Sequence, residues 1–74
     1  MNDETTDRFR RRVLRIMQSR NITYRELSEE SGVQLAYLHR LITGKATNPG
    51  LDVAARIATG LGVMLYTLVR PERD

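Results

Sequence analysis

The chain has 74 residues, with 12 lysines and arginines against 9 aspartates and glutamates, which gives a formal net charge of +3. This length has room for one small domain, and the absence of cysteine excludes both a disulfide framework and a thiolate metal site. The one histidine, His39, cannot hold a metal alone, so no cofactor is expected. The sequence has no run of about 20 apolar residues that would span a bilayer, and its acidic start differs from a secretory signal. We therefore expect a cytoplasmic protein.

The basic residues are concentrated in one place. Eleven of the 12 are arginines, and five of these lie within eight positions near the N-terminus. Such clustering favours a polyanionic partner, with nucleic acid ahead of an acidic membrane. A solvated helix face produces the same pattern, and we favour a solvated or partner-binding face over a flank of the DNA backbone. The five residues are Arg8, Arg10, Arg11, Arg12 and Arg15.

A first helix is predicted near the N-terminus. Residues 1–5 are polar and are expected to be disordered, and Thr6 or Asp7 is expected to cap a helix that runs to about Ser19. Apolar residues recur along this segment at helical spacing, while four of the clustered arginines fall on the opposite face. The apolar stripe consists of Phe9, Val13, Ile16 and Met17.

Two short helices follow, joined by a glycine. Thr23 and Glu26 have the spacing of a capping box, which predicts a second helix over residues 24–31. Gly32 supplies the positive φ of a tight turn, and a third helix is predicted over residues 34–43. This arrangement is typical of a helix-turn-helix, whose second helix enters the major groove. A helical bundle without DNA-binding activity can contain the same pair.

The remaining sequence predicts a loop and a fourth helix. Residues 44–50 are rich in turn-forming types, and Gly62 is a suitable C-cap for a helix over residues 51–61. The inward positions of that helix are predicted to be Leu51, Ala54, Ala55, Ile57, Ala58 and Leu61.

The segment over residues 63–69 is ambiguous. Its β-favouring residues end at Pro71 and indicate a short strand, while a fifth helix is the alternative. Met64 cannot cap such a helix with its side chain, which favours the strand. A lone strand edge leaves backbone groups unpaired, so two copies are expected to pair here. The predicted dimer contacts are Val63, Leu65, Tyr66, Thr67 and Val69.

The combined motifs resemble the lambda-repressor-like (Cro/C1, or Xre) helix-turn-helix family over about residues 8–63. The resemblance implies a mainly α fold, a bundle of four helices followed by the strand or fifth helix used for dimerisation. The matching motifs are Ile22 to Val33, Tyr37-Leu38, Leu41 to Lys45, Asn48-Pro49 and Leu61-Gly62-Val63. The expected segments are a disordered start (1–5), the DNA-binding domain (6–62), the dimerisation segment (63–70) and a tail (71–74).

The resemblance also implies which residues read bases, because in this family the first residues of the third helix face the major groove. Arg40 suits guanine and Gln34 suits adenine, since each forms two hydrogen bonds with its base. Leu35 and Ala36 offer only apolar contact to thymine methyl groups, so part of the specificity is expected from DNA shape. His39 lies nearby and completes the predicted base-reading set.

Phosphate contacts in the family come from the start of the second helix and the loop after the third. Three features depart from the family pattern, one of which is the poor hydrogen-bonding capacity of Leu35 and Ala36. Tyr24 replaces a frequent glutamine, which argues against a base contact from the second helix, and Ile42 replaces a common glutamate, which affects packing. The predicted backbone contacts are Thr23, Tyr24, Arg25, Tyr37, Thr43, Lys45, Thr47 and Asn48.

These features predict a repressor of transcription, with autorepression as the simplest form. A two-fold homodimer places its recognition helices about 34 Å apart, which matches an inverted repeat in double-stranded DNA. The C-terminal segment is also similar to HipB-like antitoxins, so the alternative is an antitoxin whose main role is to bind a toxin protein. The sequence shows no triad arrangement of serine and histidine and no paired carboxylates, so we do not expect an enzyme.

Overall fold

The computed structural model describes residues 3–72, and these residues form five α-helices without any β-strand. This confirms the mainly helical, lambda-repressor-like bundle. The predicted bounds of the second and fourth helices are also confirmed. The helices are α1 (Asp3–Arg20), α2 (Tyr24–Ser31), α3 (Leu35–Ile42), α4 (Leu51–Leu61) and α5 (Leu65–Val69).

Helix α1 begins earlier than predicted. Residues 3–5 are helical, so the expected disorder over 1–5 is wrong for that part, and residues 1 and 2 lie outside the described residues. Thr6 is a buried residue inside the helix rather than its cap. It lies three positions before Phe9 and extends the apolar stripe by one turn. The acidic Glu4 in the first turn is favourable at the positive end of the helix dipole.

One hydrophobic core joins all five helices. Helix α1 packs against α3 and α5, while α2 lies along α4. Leu51 was expected to point inward, but it is 74% exposed, and the buried face of α4 begins at Ala54. The largest fully buried side chains are Phe9, Val13, Leu27, Leu38, Leu41, Ile57 and Leu68.

The segment after α4 forms a helix, so the predicted strand is wrong and the alternative is correct. Leu68 is fully buried in the core, whereas Tyr66 two positions earlier is exposed. Five residues are too few for a helix that is stable by itself, so packing rather than intrinsic preference selects this conformation. The anchor of the helix is therefore Leu68.

Two arginines of α1 complete the C-terminus of α5. Arg8 donates a hydrogen bond to the carbonyl of Val69 at 3.1 Å. Arg12 donates to the carbonyls of Thr67 at 3.1 Å and Arg70 at 2.7 Å. The last carbonyls of a helix have no partner within it, and positive side chains are favourable there. The sequence preference for a strand is thus outweighed by contacts with residues more than 50 positions away.

Candidate nucleic-acid interface

A capping box fixes the start of α2, as predicted. The amide of Glu26 donates to Thr23 Oγ1 at 3.0 Å, and the amide of Thr23 donates to Glu26 Oε1 at 2.9 Å. Hydrogen bonds from the Thr23 backbone and then its side chain lower the pKa of Glu26, although partial desolvation opposes them. The hydroxyl of Thr23 keeps its proton available, because its oxygen acts as the acceptor in the cap.

The turn between α2 and α3 sets their mutual angle. Gly32 adopts φ 74°, a left-handed conformation that glycine tolerates without a Cβ penalty, and its amide donates to the carbonyl of Ser28 at 2.9 Å. The hydroxyl of Ser28 donates to the carbonyl of Val33 at 2.6 Å. The amide of Val33 in turn donates to Ser31 Oγ at 3.2 Å. These bonds hold the turn rigidly beneath α3.

The end of α2 also lies against α4. A Cβ placed on Gly60 would lie 3.0 Å from the backbone nitrogen and the Cβ of Ser31, a distance that real contacts essentially never go below. A side chain at position 60 would therefore move α2 away from α4. The orientation of the helix-turn-helix thus depends on a glycine outside it.

Helix α3 buries one face and exposes the other. Leu38, Leu41 and Ile42 are buried, which anchors the helix to the core. The predicted ends of this helix, Gln34 and Thr43, occupy its cap positions. Of the predicted base-reading residues, four are exposed and Leu35 is half-buried. The exposed four are Gln34, Ala36, His39 and Arg40.

An open groove of about 700 Å³ separates the start of α2 from the exposed face of α3. On its floor, the rings of Tyr24 and His39 meet edge to face, with centroids 5.1 Å apart and an interplanar angle of 68°. This contact orients His39 from the second helix. The structure thus brings together residues of both predicted sets. The groove is lined by Thr23, Tyr24, Arg25, Leu35, Ala36, His39 and Arg40.

The cations of this groove and of the loop after α3 carry unpaired charge. Within the described part of the chain, Arg25, Arg40 and Lys45 are exposed and form no ion pair with an acidic side chain. The guanidinium carbon of Arg40 lies 5.8 Å from the ring centroid of Tyr37, within the range of a cation–π contact. Unpaired guanidinium and ammonium groups are the groups that bind phosphates and guanine edges.

The loop after α3 is held against the end of that helix. The amides of Lys45 and Ala46 donate to the carbonyl of Arg40 at 2.8 and 3.0 Å. The hydroxyl of Thr43 donates to the carbonyl of His39 at 2.8 Å. Because that hydroxyl has one proton, Thr43 is not available as a phosphate donor in this conformation. Thr47 and Asn48 are exposed in the same loop, with Asn48 at φ 49°.

Arg10 is a site residue that the sequence reasoning did not assign. Its guanidinium lies over Gly44 in the loop after α3, where a Cβ would come within 3.0 Å of Nη1. Arg10 also pairs with Asp7 on α1. Together with Thr47 these residues line a depression of about 270 Å³ beside the recognition helix. The sequence did contain an indication of this separate position, because helical spacing places Arg10 on a different face of α1 from the other four clustered arginines.

The predicted dimer residues lie elsewhere and do not form one strand face. Val63, Leu65 and Val69 pack partly against the core, whereas Tyr66 and Thr67 are exposed. Helix α5 packs on α1 and α4, so it is separate from the groove. The strand pairing proposed for these residues is excluded by the helix.

Neither a metal-binding cluster nor a membrane-spanning helix is found among the described residues. Across residues 3–72, no three histidine, cysteine, aspartate or glutamate side chains come together as potential metal ligands. None of the helices in this part of the chain has the length and apolarity needed to cross a membrane.

A helix-turn-helix with an exposed second helix and unpaired cations around it defines a sequence-specific DNA-binding regulator. Comparison with protein families supports this class: the profile of the Cro/C1-type HTH DNA-binding domain matches residues 12–74. Because the match covers most of the chain, the protein belongs to the Cro/C1-type HTH DNA-binding family. No curated protein and no solved structure matches the chain.

Proposed function

We propose that the protein is a transcriptional repressor that binds an inverted repeat in double-stranded DNA as a homodimer. The observation that carries this proposal is the groove between α2 and α3, where exposed base-reading candidates and unpaired cations converge. Occupying a promoter is the simplest way for a domain of this kind to act, and autorepression is its simplest form. The protein would then work in the compartment that holds the DNA, by binding rather than by catalysis.

The residues in and beside the groove fall into two sets, one that would contact bases and one that would contact phosphates. Arg40 and Gln34 would donate to base edges, because their side chains are exposed near the start and middle of α3. Leu35 and Ala36 would contact thymine methyl groups, with His39 held beside them by Tyr24.

A second set would contact phosphates. Lys45, Thr47 and Asn48 are exposed on the loop after α3, and Arg25 is exposed at the start of α2. Arg10 extends this set from α1, because its guanidinium lies over the same loop. Tyr37 and Thr43 would act mainly through packing and the end of α3, since Tyr37 is half-buried and the hydroxyl of Thr43 is engaged.

The homodimer requires a surface other than a strand. Met64 and Tyr66 are 74% and 64% exposed at the start of α5, an unusual position for large apolar side chains in a small domain. Pairing of α5 with its symmetry mate would bury both residues. An inverted repeat as the target requires the two copies of α3 to lie about 34 Å apart, which is one helical turn of DNA.

The experiment is a titration of the DNA upstream of the protein's own gene against random DNA at two salt concentrations, followed by footprinting. We expect selective binding that weakens with salt, and protection of two half-sites centred one helical turn apart. Equal binding to both DNAs would contradict sequence reading. A single protected half-site would contradict the dimer.

A second candidate is an antitoxin that binds a partner protein. The exposed apolar pair on α5 favours it, because that pair fits a partner surface as well as a second copy. A toxin gene next to this one would support this role. So would a Tyr66→Ala variant that loses more of its binding to the toxin protein than of its binding to DNA. Loss of self-association in the same variant would support the homodimer.

A further inference from the structure

A second basic surface lies on the side of α1 that packs against α5. Arg8, Arg11, Arg12 and Arg15 occupy positions i, i+3, i+4 and i+7, so they share one face of α1. Arg70, directly after α5, joins them. We call these five residues the α1–α5 arginine face. Helix α1 separates it from the loop after α3, which lies on the opposite flank of that helix.

The members of this face have different partners. Arg8 and Arg12 are bound to the carbonyls of α5, and Arg11 pairs with Glu72 at 3.2 Å. The side chains of Arg15 and Arg70 are exposed and form neither a hydrogen bond nor an ion pair within residues 3–72. Two guanidinium groups are therefore available to a ligand.

These two groups converge on one depression. Together with Arg12 and Glu72, they line an open concavity of about 260 Å³. Partial burial lowers the pKa of Arg12 and the charge of Arg70 lowers it further, while Glu72 opposes both effects. Arg70 and Arg15 thus both repel Arg12, and Glu72 is the carboxylate in the concavity that compensates them. An anion in the concavity would relieve this repulsion.

The charge of the face is large for its size. Its five arginines are accompanied by Glu4 and Glu72, which leaves an excess of three positive charges, equal to the formal net charge of the whole chain, +3. This excess lies on the flank of α1 opposite the loop after α3. A field of this kind attracts a polyanion over distances near the Debye length, about 10 Å at 0.1 M salt.

The chemistry of the face favours phosphate over an acidic protein. Its cations are all arginines, whose planar forks match phosphate oxygens in pairs. Among residues 3–72, none of the large exposed apolar side chains lines the concavity, whereas the centre of a protein interface is apolar. A surface that binds by charge alone is typical of sequence-independent contacts with the DNA backbone.

We propose that the α1–α5 arginine face binds the phosphate backbone of a second DNA duplex while α3 reads the first. The protein then connects two DNA segments, for example two distant sites on one molecule. This inference rests on the proposed function and extends it. The contact of the α1–α5 arginine face with the second duplex does not depend on the base sequence. Arg15 and Arg70 are the residues that carry it.

The test is capture of one duplex by another. Target DNA is fixed to beads, saturated with the protein and incubated with a labelled random duplex. We expect the wild type to retain the label. We expect the double variant Arg15→Gln/Arg70→Gln to retain at least tenfold less of the labelled duplex. Each phosphate contact contributes about 0.9 to the slope of the logarithm of the binding constant against the logarithm of the salt concentration, so the loss of two contacts weakens binding of the second duplex. Affinity for the target alone should stay within about twofold of the wild type.

Matched variants separate this effect from general loss of charge. Arg15→Gln is compared with Arg56→Gln, an exposed arginine on α4 that pairs only with Asp52. The first should reduce capture and the second should not. Both arginines are exposed, so both variants should unfold at the wild-type temperature, and sedimentation should give the wild-type size for the double variant.

Several results would overturn the proposal. One is an absence of capture by the wild type, and another is undiminished capture by the double variant. A third is an equal loss of capture and of target affinity in the double variant, because it would place both arginines on the first duplex. Stronger competition by polyglutamate than by random DNA would indicate an acidic protein instead.

Failure of the proposed function would be visible separately. If target and random DNA are bound alike, sequence reading fails, and the capture assay is repeated with random DNA on the beads. The double variant Arg40→Ala/Lys45→Ala should then still bind random DNA, and this residual binding should be lost when Arg15 and Arg70 are also substituted. Independence from both arginines would overturn the second contact.

Discussion

Arginine has different roles on two surfaces of this small domain. At the groove between α2 and α3, Arg25 and Arg40 are exposed and without an acidic partner among the described residues. Beside α5, Arg8 and Arg12 donate to backbone carbonyls at 2.7–3.1 Å. The first pair is available to a ligand, while the second pair stabilises the fold.

The comparison shows that a cluster of arginines in a sequence combines groups with separate tasks. The guanidinium group is favourable both at a helix C-terminus and against phosphate, so residue type alone does not distinguish the two. The distinguishing factor is whether a carbonyl without a partner lies within reach. Substitutions of Arg8 and Arg12 should therefore change stability, and substitutions of Arg25 and Arg40 should change DNA binding.

The largest expected effect is on stability. Leu68→Ala removes a fully buried side chain that anchors α5, and we expect a loss of about 2–5 kcal/mol in the free energy of unfolding. Urea unfolding followed by circular dichroism measures it. Thr67→Ala on the same helix is the control, because Thr67 is exposed and lies outside the proposed dimer surface, so it should change stability by about 0.5 kcal/mol or less. Similar losses in both variants would contradict the packing of α5.

The next effect is on DNA binding and separates two roles within the groove. Arg40→Ala should cost about 1–3 kcal/mol of binding free energy and relax discrimination at one base pair. Lys45→Ala should weaken binding to all sequences alike and lower the salt slope by about one unit. Titrations against single-base variants of the target at two salt concentrations measure both. If the two variants behave alike, the assignment of base-reading and phosphate-contact roles is wrong.

A smaller effect should identify the arginines that stabilise the fold. Arg12→Ala removes donors from the carbonyls of Thr67 and Arg70, and we expect a loss of about 1 kcal/mol, because the carbonyls become partly solvated instead. Thermal unfolding measures it. Arg15→Ala, one turn further along α1, serves as the control and should leave stability unchanged. A destabilised Arg15→Ala variant would show that the two arginines have the same role.

The smallest effect concerns the start of α2 and depends on pH. The capping bonds lower the pKa of Glu26 below its usual 4.5. Its charged form therefore stabilises the folded state fully above the unfolded pKa, and this contribution is lost as the pH falls through the lowered value. Glu26→Gln should be less stable than the wild type at pH 7, with a difference that shrinks on acidification. A difference that is constant from pH 7 to pH 3 would contradict the charged cap.

Local chemistry was enough to predict the helix-turn-helix. Thr23 and Glu26 interact across three residues, and Gly32 adopts its left-handed conformation because of its own backbone freedom. Each of these features depends on neighbours along the chain. The exposed face of α3 follows from the spacing of Leu38 and Leu41. The residues of the candidate groove follow from this spacing together with the family resemblance.

Contacts between distant residues decided the rest. Residues 65–69 favour a strand by composition, but the burial of Leu68 and the hydrogen bonds from Arg8 and Arg12 select a helix. The position of Arg10 over Gly44 depends in the same way on how α1 crosses the loop after α3. Thus the sequence by itself determined the elements whose stabilising groups lie within one or two turns. Only the tertiary structure determined α5 and the partners of the arginines, because their stabilising groups lie 34 to 61 residues apart along the chain.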